Sequence, residues 1–305
     1  MLLDHAQIRQ QLAVNYGLTR CVCKNLETLA NYAVEVLSPS GHFALKIYNP
    51  ASRNASEIQW EIDLTNHLIQ HRVPAAKPIL GKNGVYLQNF VLGDQNLSVV
   101  MFEWLAGEKP KPELSTYRLI GEVAAQIHTA ADSFTSNLPR ESYGLHELID
   151  DQLALIKKPL KDTGQWQNLN ELTERMRRII DNSDLDYGII HNDLTLDNVH
   201  IHGASIGVFD FDSAAKSWRA VEAWGVLKAS EDRFTAWLDG YRQVREFSEA
   251  DQKAVAVFTI LEDIRNTVWK LGYAKSSRGT PLLKQEALPE IVSEWLEWER
   301  SKDNS

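Results

Sequence analysis

The sequence predicts an α+β fold of two lobes, with a small antiparallel sheet in its first third and a larger, mainly helical remainder. Three observations predict it. Residues 32–37 and 42–48 alternate in polarity with a period of two, and residues 97–102 form a further apolar run. After Gly107, apolar residues recur at spacings of three and four. The chain has 305 residues, 44% of them hydrophobic, which is enough for two cores.

The boundary between the lobes is predicted near Gly107. The segment Lys109-Pro110-Lys111-Pro112 follows it and is typical of a stiff link. We therefore expect an N-terminal lobe of residues 1–106 and a C-terminal lobe of residues 107–305. Helical spacing in the second lobe covers residues 117–131, 145–155, 169–180, 219–229, 234–244, 249–271 and 290–299.

The first pair of strands is predicted to form a hairpin around Ser38-Pro39-Ser40-Gly41. Alternation then places Ala44, Lys46 and Tyr48 on one face and the apolar residues between them on the other. Because an unpaired ammonium is costly to bury, a lysine among apolar neighbours needs a carboxylate partner.

A helix over residues 55–71 is predicted to supply that partner. Asn54 and Glu57 have the spacing of a capping box, which gives Glu57 a structural role. Glu61 lies at the edge of the apolar stripe of this helix and is our choice for the ion pair with Lys46. The alternative is a solvated glutamate on the helix surface.

The polar run from Ile190 to Asn198 carries the most informative residues of the chain. Asp193 lies on a loop where a carboxylate can accept a hydrogen bond from a hydroxyl and orient it in line with a γ-phosphate. Strands at residues 199–202 and 206–209 are predicted to flank a three-residue turn centred on Ala204.

In that register Asn198 faces Asp210, and one amide oxygen and one carboxylate could share a magnesium ion. The alternative is a surface hairpin with Asx turns.

With these residues the chain resembles the aminoglycoside phosphotransferase and choline kinase-like family. That family shares the bilobal protein-kinase-like fold and includes homoserine and hydroxylysine kinases, and the resemblance covers most of the chain. It implies that Asp193 is the catalytic base, that Asn198 and Asp210 bind Mg2+, and that His191 braces the loop.

The resemblance also implies an ATP site in the first lobe. Lys46, with its partner Glu61, would contact the α- and β-phosphates, and Ala44 is small enough to let adenine approach. The run of residues 97–102 would lead into the hinge. There Phe102 would close the back of the pocket, and the Glu103 carbonyl and the Leu105 amide would read the adenine edge.

Two segments depart from the family pattern. Residues 25–31, where a phosphate-covering loop is expected, contain no glycine, so a covering role would depend on the backbone and Asn31. Glu222-Ala223-Trp224 stands where many relatives have Asp-Leu-Ala. Either Glu222 braces the catalytic loop with a longer reach, or the loop is held differently.

Composition bounds the partners and the compartment. The formal charge of −9 disfavours nucleic-acid binding and suits a cationic or amine-bearing substrate. The sequence has no apolar run long enough to span a membrane and no signal-peptide pattern, so we expect a cytoplasmic protein with no membrane partner.

Cys21 and Cys23 are expected to be reduced core thiols on one strand face. Oligomeric state is not predicted.

The resulting functional hypothesis is an ATP- and magnesium-dependent phosphotransferase. Its acceptor would be a hydroxyl of a small molecule, aminoglycoside-like or an amino alcohol such as homoserine, hydroxylysine or choline. Two alternatives are a serine/threonine protein kinase and a non-catalytic nucleotide-binding scaffold. Asp210-Phe211-Asp212 in place of Asp-Phe-Gly, without a later Ala-Pro-Glu, disfavours the first. The presence of Lys46, Asp193, Asn198 and Asp210 disfavours the second.

Glu262 and Asp263 lie in a largely apolar helix with Arg265 nearby. They would either pair with a substrate ammonium or form a salt bridge on the helix surface. Neither is assigned to the site.

Overall fold

The computed structural model describes residues 4–273 and 281–303, apart from the side chains of 301–303. The chain divides into two compact units. The first comprises the segment ending at Lys109 together with Ser133–Arg140 and Asn198–Asp212, and the remainder forms the second. The predicted boundary after residue 106 lies close to the end of the first segment. The segment 198–212 joins the first unit because Val208 bridges to Ala75 and Ile201 bridges to Glu108.

An antiparallel sheet forms the centre of the first unit. Its described strands run in the order β1-β2-β3-β6-β4, and β5 also pairs with β6. The strands are β1 (Val22–Leu26), β2 (Tyr32–Ser38), β3 (Gly41–Ile47), β4 (Pro78–Ile79), β5 (Gln88–Leu92) and β6 (Gln95–Glu103). Two helices, α1 (His5–Tyr16) and α2 (Ala55–Gln70), belong to the same unit.

The two faces of β3 bury different residues, as its alternation predicts. Leu45 and Ile47 lie in a core that includes Ile8 and Leu12 of α1. Tyr48, immediately after β3, packs on the other side with residues of α2 and β6. Lys46 therefore lies on the face that is covered by α2.

The second unit is mainly helical. Its elements are α3 (Leu114–Ala131), α4 (Asp151–Lys157), α5 (Thr163–Asp181), α6 (Trp224–Ala229), α7 (Glu231–Tyr241), α8 (Glu249–Lys270), α9 (Leu288–Asp303) and a strand pair, β7 (Tyr187–Ile190) with β10 (Ala215–Trp218). A π-helical turn, His146–Asp150, precedes α4, and a 3-10 turn, Arg219–Ala223, precedes α6. Helical structure occupies most of each predicted segment of this lobe, and the α+β fold class is confirmed. The segment 219–229 begins as the 3-10 turn, and the segment predicted to end at residue 244 ends at Tyr241.

A hairpin of β8 (Val199–His202) and β9 (Ser205–Val208) completes the strands of the first unit. Its register pairs His202 with Ser205, so the turn contains two residues, and the predicted three-residue turn is wrong. Gly203, at φ +62°, supplies the positive φ that a two-residue hairpin turn needs. Asn198 consequently lies opposite Phe209, whose N–H donates to its carbonyl at 3.0 Å, and Asp210 is one residue further on.

No helix among the described residues combines the length and the apolar character that crossing a membrane requires.

Candidate active site

Lys46 is a buried cation of the first unit. Its ammonium donates to Glu61 Oε1 at 2.9 Å and to Asp210 Oδ1 at 2.6 Å, and Asp212 lies 3.9 Å away. Burial alone would lower the pKa of Lys46, but the carboxylates of Asp210, Asp212 and Glu61 raise it well above its ordinary value. The side chain is therefore held as a charged ammonium.

Glu61 joins this ammonium to α2. The predicted ion pair is present, and the second carboxylate oxygen accepts a hydrogen bond from the Tyr48 hydroxyl at 3.0 Å. The predicted capping box also forms: Asn54 accepts from the Glu57 N–H, and Glu57 Oε2 accepts from the Asn54 N–H. The start of α2 is thus fixed, which sets the position of Glu61 two turns later.

Asn198 directly precedes β8, and Asp210 follows β9 by two residues. Both residues therefore lie at the open end of the β8–β9 hairpin, opposite its turn. The Asp210 side chain is 43% exposed although it touches the buried Lys46, so part of this side chain is accessible. Asn198 is buried.

This donor pair fits Mg2+. That ion prefers oxygen ligands and commonly takes only one or two from protein, with phosphates and water supplying the rest. No group of three or more His, Cys, Asp or Glu side chains in the described residues is arranged to enclose a metal.

The segment after β6 is held by backbone hydrogen bonds. The Glu103 N–H donates to the Lys77 carbonyl at 2.8 Å, and the Trp104 N–H donates to the His42 carbonyl at 3.1 Å. His200 Nδ1 lies 3.1 Å from the Leu105 carbonyl oxygen, to which it donates. These bonds fix residues 103–105 against the first unit's main sheet and the β8–β9 hairpin.

Ala44 and Phe102 are cross-strand partners on β3 and β6. Phe102 is partly buried against the cluster that contains Ile58 and Val100. The structure therefore places the small and the large side chain predicted for an adenine pocket side by side.

Asp193 lies in the second unit, on a loop of residues 191–197 that we refer to as the catalytic loop because of the role expected for Asp193. Its side chain is exposed, whereas His191 and Asn192 before it are buried. The His191 N–H donates to Glu222 Oε2 at 2.6 Å, and the Asn192 N–H donates to Glu222 Oε1 at 3.0 Å. Of the two alternatives for Glu222, bracing of the loop is confirmed.

Glu222 is itself held from behind. His128 Nε2 lies 3.4 Å from Glu222 Oε2, and His128 Nδ1 lies 2.8 Å from the Tyr241 hydroxyl. Burial raises the pKa of Glu222, although the hydrogen bonds that it accepts from backbone N–H groups lower this pKa in part. Burial lowers the pKa of His128 well below its ordinary value, so this imidazole is neutral.

Comparison with known proteins decides the family. Residues 24–257 match the model of the phosphotransferase enzyme family. The chain belongs to this family. The resemblance inferred from sequence is confirmed, and the protein is an enzyme of the phosphotransferase family.

Relatives of this phosphotransferase include a homoserine kinase of Methylobacillus glycogenes, which is 29% identical and aligns over 74% of this chain and 71% of its own length. Across this and similar relatives the aligned region spans 64% to 75% of their lengths.

Solved structures support the fold. A microcompartment-associated aminopropanol kinase has a TM-score of 0.78 at 19% identity, with coverage of 96% of this chain and 94% of its own. The amicoumacin kinase hAmiN, in complex with AMP-PNP, Ca2+ and Ami, has a TM-score of 0.76 at 18% identity, with coverage of 98% and 94%.

Sequence reasoning missed the role of Asp212 as a buried carboxylate that binds Arg53 and Asn31. Asp212 is buried and accepts from Arg53 Nε at 3.1 Å and from Asn31 Nδ2 at 2.9 Å. Although burial would raise its pKa, the charges of Lys46, Arg53 and Arg140 lower it to about 2. The motif alone marked Asp212 only as a departure from Asp-Phe-Gly, and its partners lie 159 and 181 residues away in sequence.

Asn31 is a brace within its glycine-free loop. Besides its bond to Asp212, its side-chain oxygen accepts from the Asn49 N–H at 3.0 Å. The backbone carbonyl of Asn31 accepts from the Thr28 hydroxyl at 2.6 Å. Both ends of the Asn31 amide are thus used to hold the loop.

Glu262 and Asp263 have different surroundings in α8. Glu262 accepts from Arg265 Nε at 2.7 Å, so the salt bridge of the second alternative forms. Its position on the helix surface is wrong for Glu262, which is only 1% exposed. Asp263 pairs with Lys228 at 2.5 Å and accepts from the Trp295 indole at 2.7 Å.

Proposed function

We propose that this chain is an ATP- and magnesium-dependent kinase that transfers the γ-phosphate to a hydroxyl of a small molecule, with Asp193 as the base. The observation that carries the proposal is the charged Lys46 buried between Glu61 and the partly exposed Asp210. A structural salt bridge between Lys46 and Glu61 does not by itself require a second, accessible carboxylate on the same ammonium.

The nucleotide would bind to the first unit. The Lys46 ammonium would contact the α- and β-phosphates, with Glu61 keeping it in place. Ala44 and Phe102 would contact adenine, and the Glu103 carbonyl and the Leu105 N–H would read its edge. Support for this assignment comes from the fixed backbone of residues 103–105 and from the pairing of Ala44 with Phe102.

Asn198 and Asp210 would hold the magnesium ion. When bound, the ion neutralises charge on the β- and γ-phosphates. The carboxylate of the partly exposed Asp210 and the amide oxygen of Asn198 are donors of the type that Mg2+ prefers.

Asp193 would accept the hydrogen bond of the acceptor hydroxyl, orient it toward the phosphorus and take up its proton. Its exposure leaves the carboxylate accessible to a dissolved acceptor. Glu222 supports this role because it fixes the backbone of the two preceding residues.

The acceptor is proposed to be a small hydroxylated molecule with an amine. Homoserine, aminopropanol and amicoumacin kinases are among the relatives and structural neighbours, and the formal charge of −9 suits a cation. Glu262, a candidate partner for the amine, already pairs with Arg265, so it is not assigned to this task.

The test is ATP consumption by the purified protein with magnesium, across a panel of homoserine, aminopropanol, hydroxylysine, choline, aminoglycosides, simple sugars and a generic protein. Stimulation by one small molecule is expected, with loss in Asp193→Asn and full retention in Asp184→Asn, an exposed acid of the same unit. Stimulation by the protein acceptor alone would favour a protein kinase. Tight Mg-ATP binding with no stimulation by any acceptor would favour the scaffold.

A further inference from the structure

The catalytic loop contains a residue with an unusual backbone. Asn192 has φ +65°, in the left-handed region that few non-glycine residues adopt. Such a conformation persists only where surrounding contacts determine it. Because Asn192 directly precedes Asp193, its orientation sets the direction in which the Asp193 side chain leaves the loop.

The Asn192 side chain is buried and contacts two separate elements. Its Nδ2 donates to the Ser213 carbonyl at 3.0 Å, and its Oδ1 accepts from Arg265 Nη2 at 2.9 Å. Arg265 belongs to α8, a helix of 22 residues. The loop is therefore connected to a long, rigid element through one side-chain hydrogen bond.

Arg265 is fixed before it reaches the loop. Its Nε and Nη2 donate to Glu262 Oε2 at 2.7 and 2.5 Å, and its guanidinium lies over the Tyr143 ring, 4.7 Å from the centroid. A planar guanidinium that is held at two nitrogens and on one face has little rotational freedom left. Burial of Glu262 secures the pair, because solvent competes weakly there.

We propose that Arg265 is a positioning residue that orients the catalytic loop through the side chain of Asn192. The proposal rests on the function proposed above, since the loop matters for catalysis only if Asp193 is the base. Glu222 holds the loop backbone and Arg265 holds the Asn192 side chain, so the two supports are distinct. Loss of the second leaves the loop in place but poorly aligned.

The kinetic test is Arg265→Met, which keeps the length of the side chain and removes its donors. We expect kcat to fall roughly 10- to 100-fold, the cost typical of a misplacement of about 1 Å. The KM for ATP should stay within about twofold, since the nucleotide residues lie in the first unit. Guanidinium ion added to Arg265→Ala should restore part of kcat, which a purely structural role would not permit.

A double-mutant cycle tests the route through Asn192. Asn192→Gly removes the side chain and tolerates the positive φ. If Arg265 acts through Asn192, the double variant Arg265→Met with Asn192→Gly should lose no more kcat than the worse single variant. Fully multiplicative losses would overturn the proposed route.

Hydrogen exchange tests the positioning without any acceptor. In Arg265→Met we expect the amides of residues 191–197 to exchange about tenfold faster while α8 keeps its protection. The matched control is Arg175→Met, which removes an exposed arginine paired with Glu299 in the same unit. Unchanged loop exchange, or equal loss of protection along α8, would overturn the proposal. If the wild type transfers no phosphate, the proposed function fails, and the exchange data still decide whether Arg265 holds the loop.

Discussion

Lys46 and Glu61 form an ion pair at 2.9 Å in which the side chains are only 10% and 1% exposed. The two residues come from β3 and α2, so the pair ties the orientation of the helix to the sheet. Because Lys46 also contacts Asp210, the charge of Glu61 is coupled to the proposed metal ligand through a single ammonium. Disturbing Glu61 should therefore affect stability and nucleotide binding together.

We predict that Glu61→Gln weakens ATP binding about tenfold and lowers the free energy of unfolding by about 1.5–3 kcal/mol, the value of a hydrogen bond to a charged group. The loss stays below that of a fully orphaned buried charge because Asp210 and Asp212 still face the ammonium. Calorimetric titration and urea unfolding measure the two quantities. Tyr48→Phe, which removes only the hydroxyl bond to Glu61, is the control and should retain ATP affinity. Wild-type ATP affinity in Glu61→Gln would contradict the role of the pair.

For Asp210→Ala we predict a magnesium-dependent loss of nucleotide affinity. With Mg2+ present, ATP should bind at least about tenfold more weakly than to the wild type, since a charged oxygen ligand is missing. With EDTA the difference should shrink or reverse, because Lys46 gains a free donor for the phosphates when its 2.6 Å contact is removed. Asp94→Asn, an exposed acid in the same unit, should behave as wild type. An equal loss with and without Mg2+ would exclude Asp210 as a metal ligand.

The local parts of the site were predictable from sequence. Glu61 was identified by its position on an amphipathic helix whose start Asn54 and Glu57 mark, and both patterns depend on spacings of three or four residues. Alternation placed Lys46 on the face opposite Leu45 in the same way. Periodicity reports contacts of this kind because the contacting residues belong to regular elements.

The long-range parts were not predictable. The bonds of Asp212 to Arg53 and Asn31, and of Asn192 to Arg265, join residues 159, 181 and 73 positions apart, and no local spacing encodes them. The predicted register of the β8–β9 hairpin was wrong by one residue, because Gly203 permits a two-residue turn in place of the predicted three-residue turn.

Close packing of α3 on α7 gives a prediction about stability alone. A Cβ on Gly121 would overlap the carbonyl oxygen of Trp237, a backbone atom that cannot move aside. We predict that Gly121→Ala lowers the free energy of unfolding by about 3 kcal/mol through overpacking. Gly225→Ala in α6 is the matched control: its Cβ meets nothing within 4 Å, so it should stabilise by about 0.5–1 kcal/mol. Urea unfolding of both variants decides the matter, and equal stabilities would refute the helix contact.

The brace at Glu222 leads to a prediction about pH. Burial raises the pKa of Glu222 above its ordinary value of 4.5, so the folded protein binds this proton more tightly than the unfolded chain. Folding stability from this group is therefore complete below pH 4.5 and is lost as pH rises through the folded pKa. Glu222→Gln cannot ionise, so the stability of the wild type minus that of the variant should fall with pH by up to about 1.4 kcal/mol per pH unit within that window.

The measurement is urea unfolding of both proteins at intervals from about pH 4 to about pH 8. This range begins just below the ordinary pKa of a carboxyl group and extends well above it. Glu246→Gln, at an exposed position in the same unit, provides the baseline for titration elsewhere. Gln has one acceptor oxygen for the backbone N–H groups that Glu222 binds, among them those of His191 and Asn192, which adds a constant offset but no slope. A difference that rises with pH would mean that the backbone donors outweigh burial and that Glu222 is an ionised acceptor of lowered pKa. The sign of the slope therefore distinguishes a carboxylate stabilised by the loop from one held there against the cost of its own desolvation.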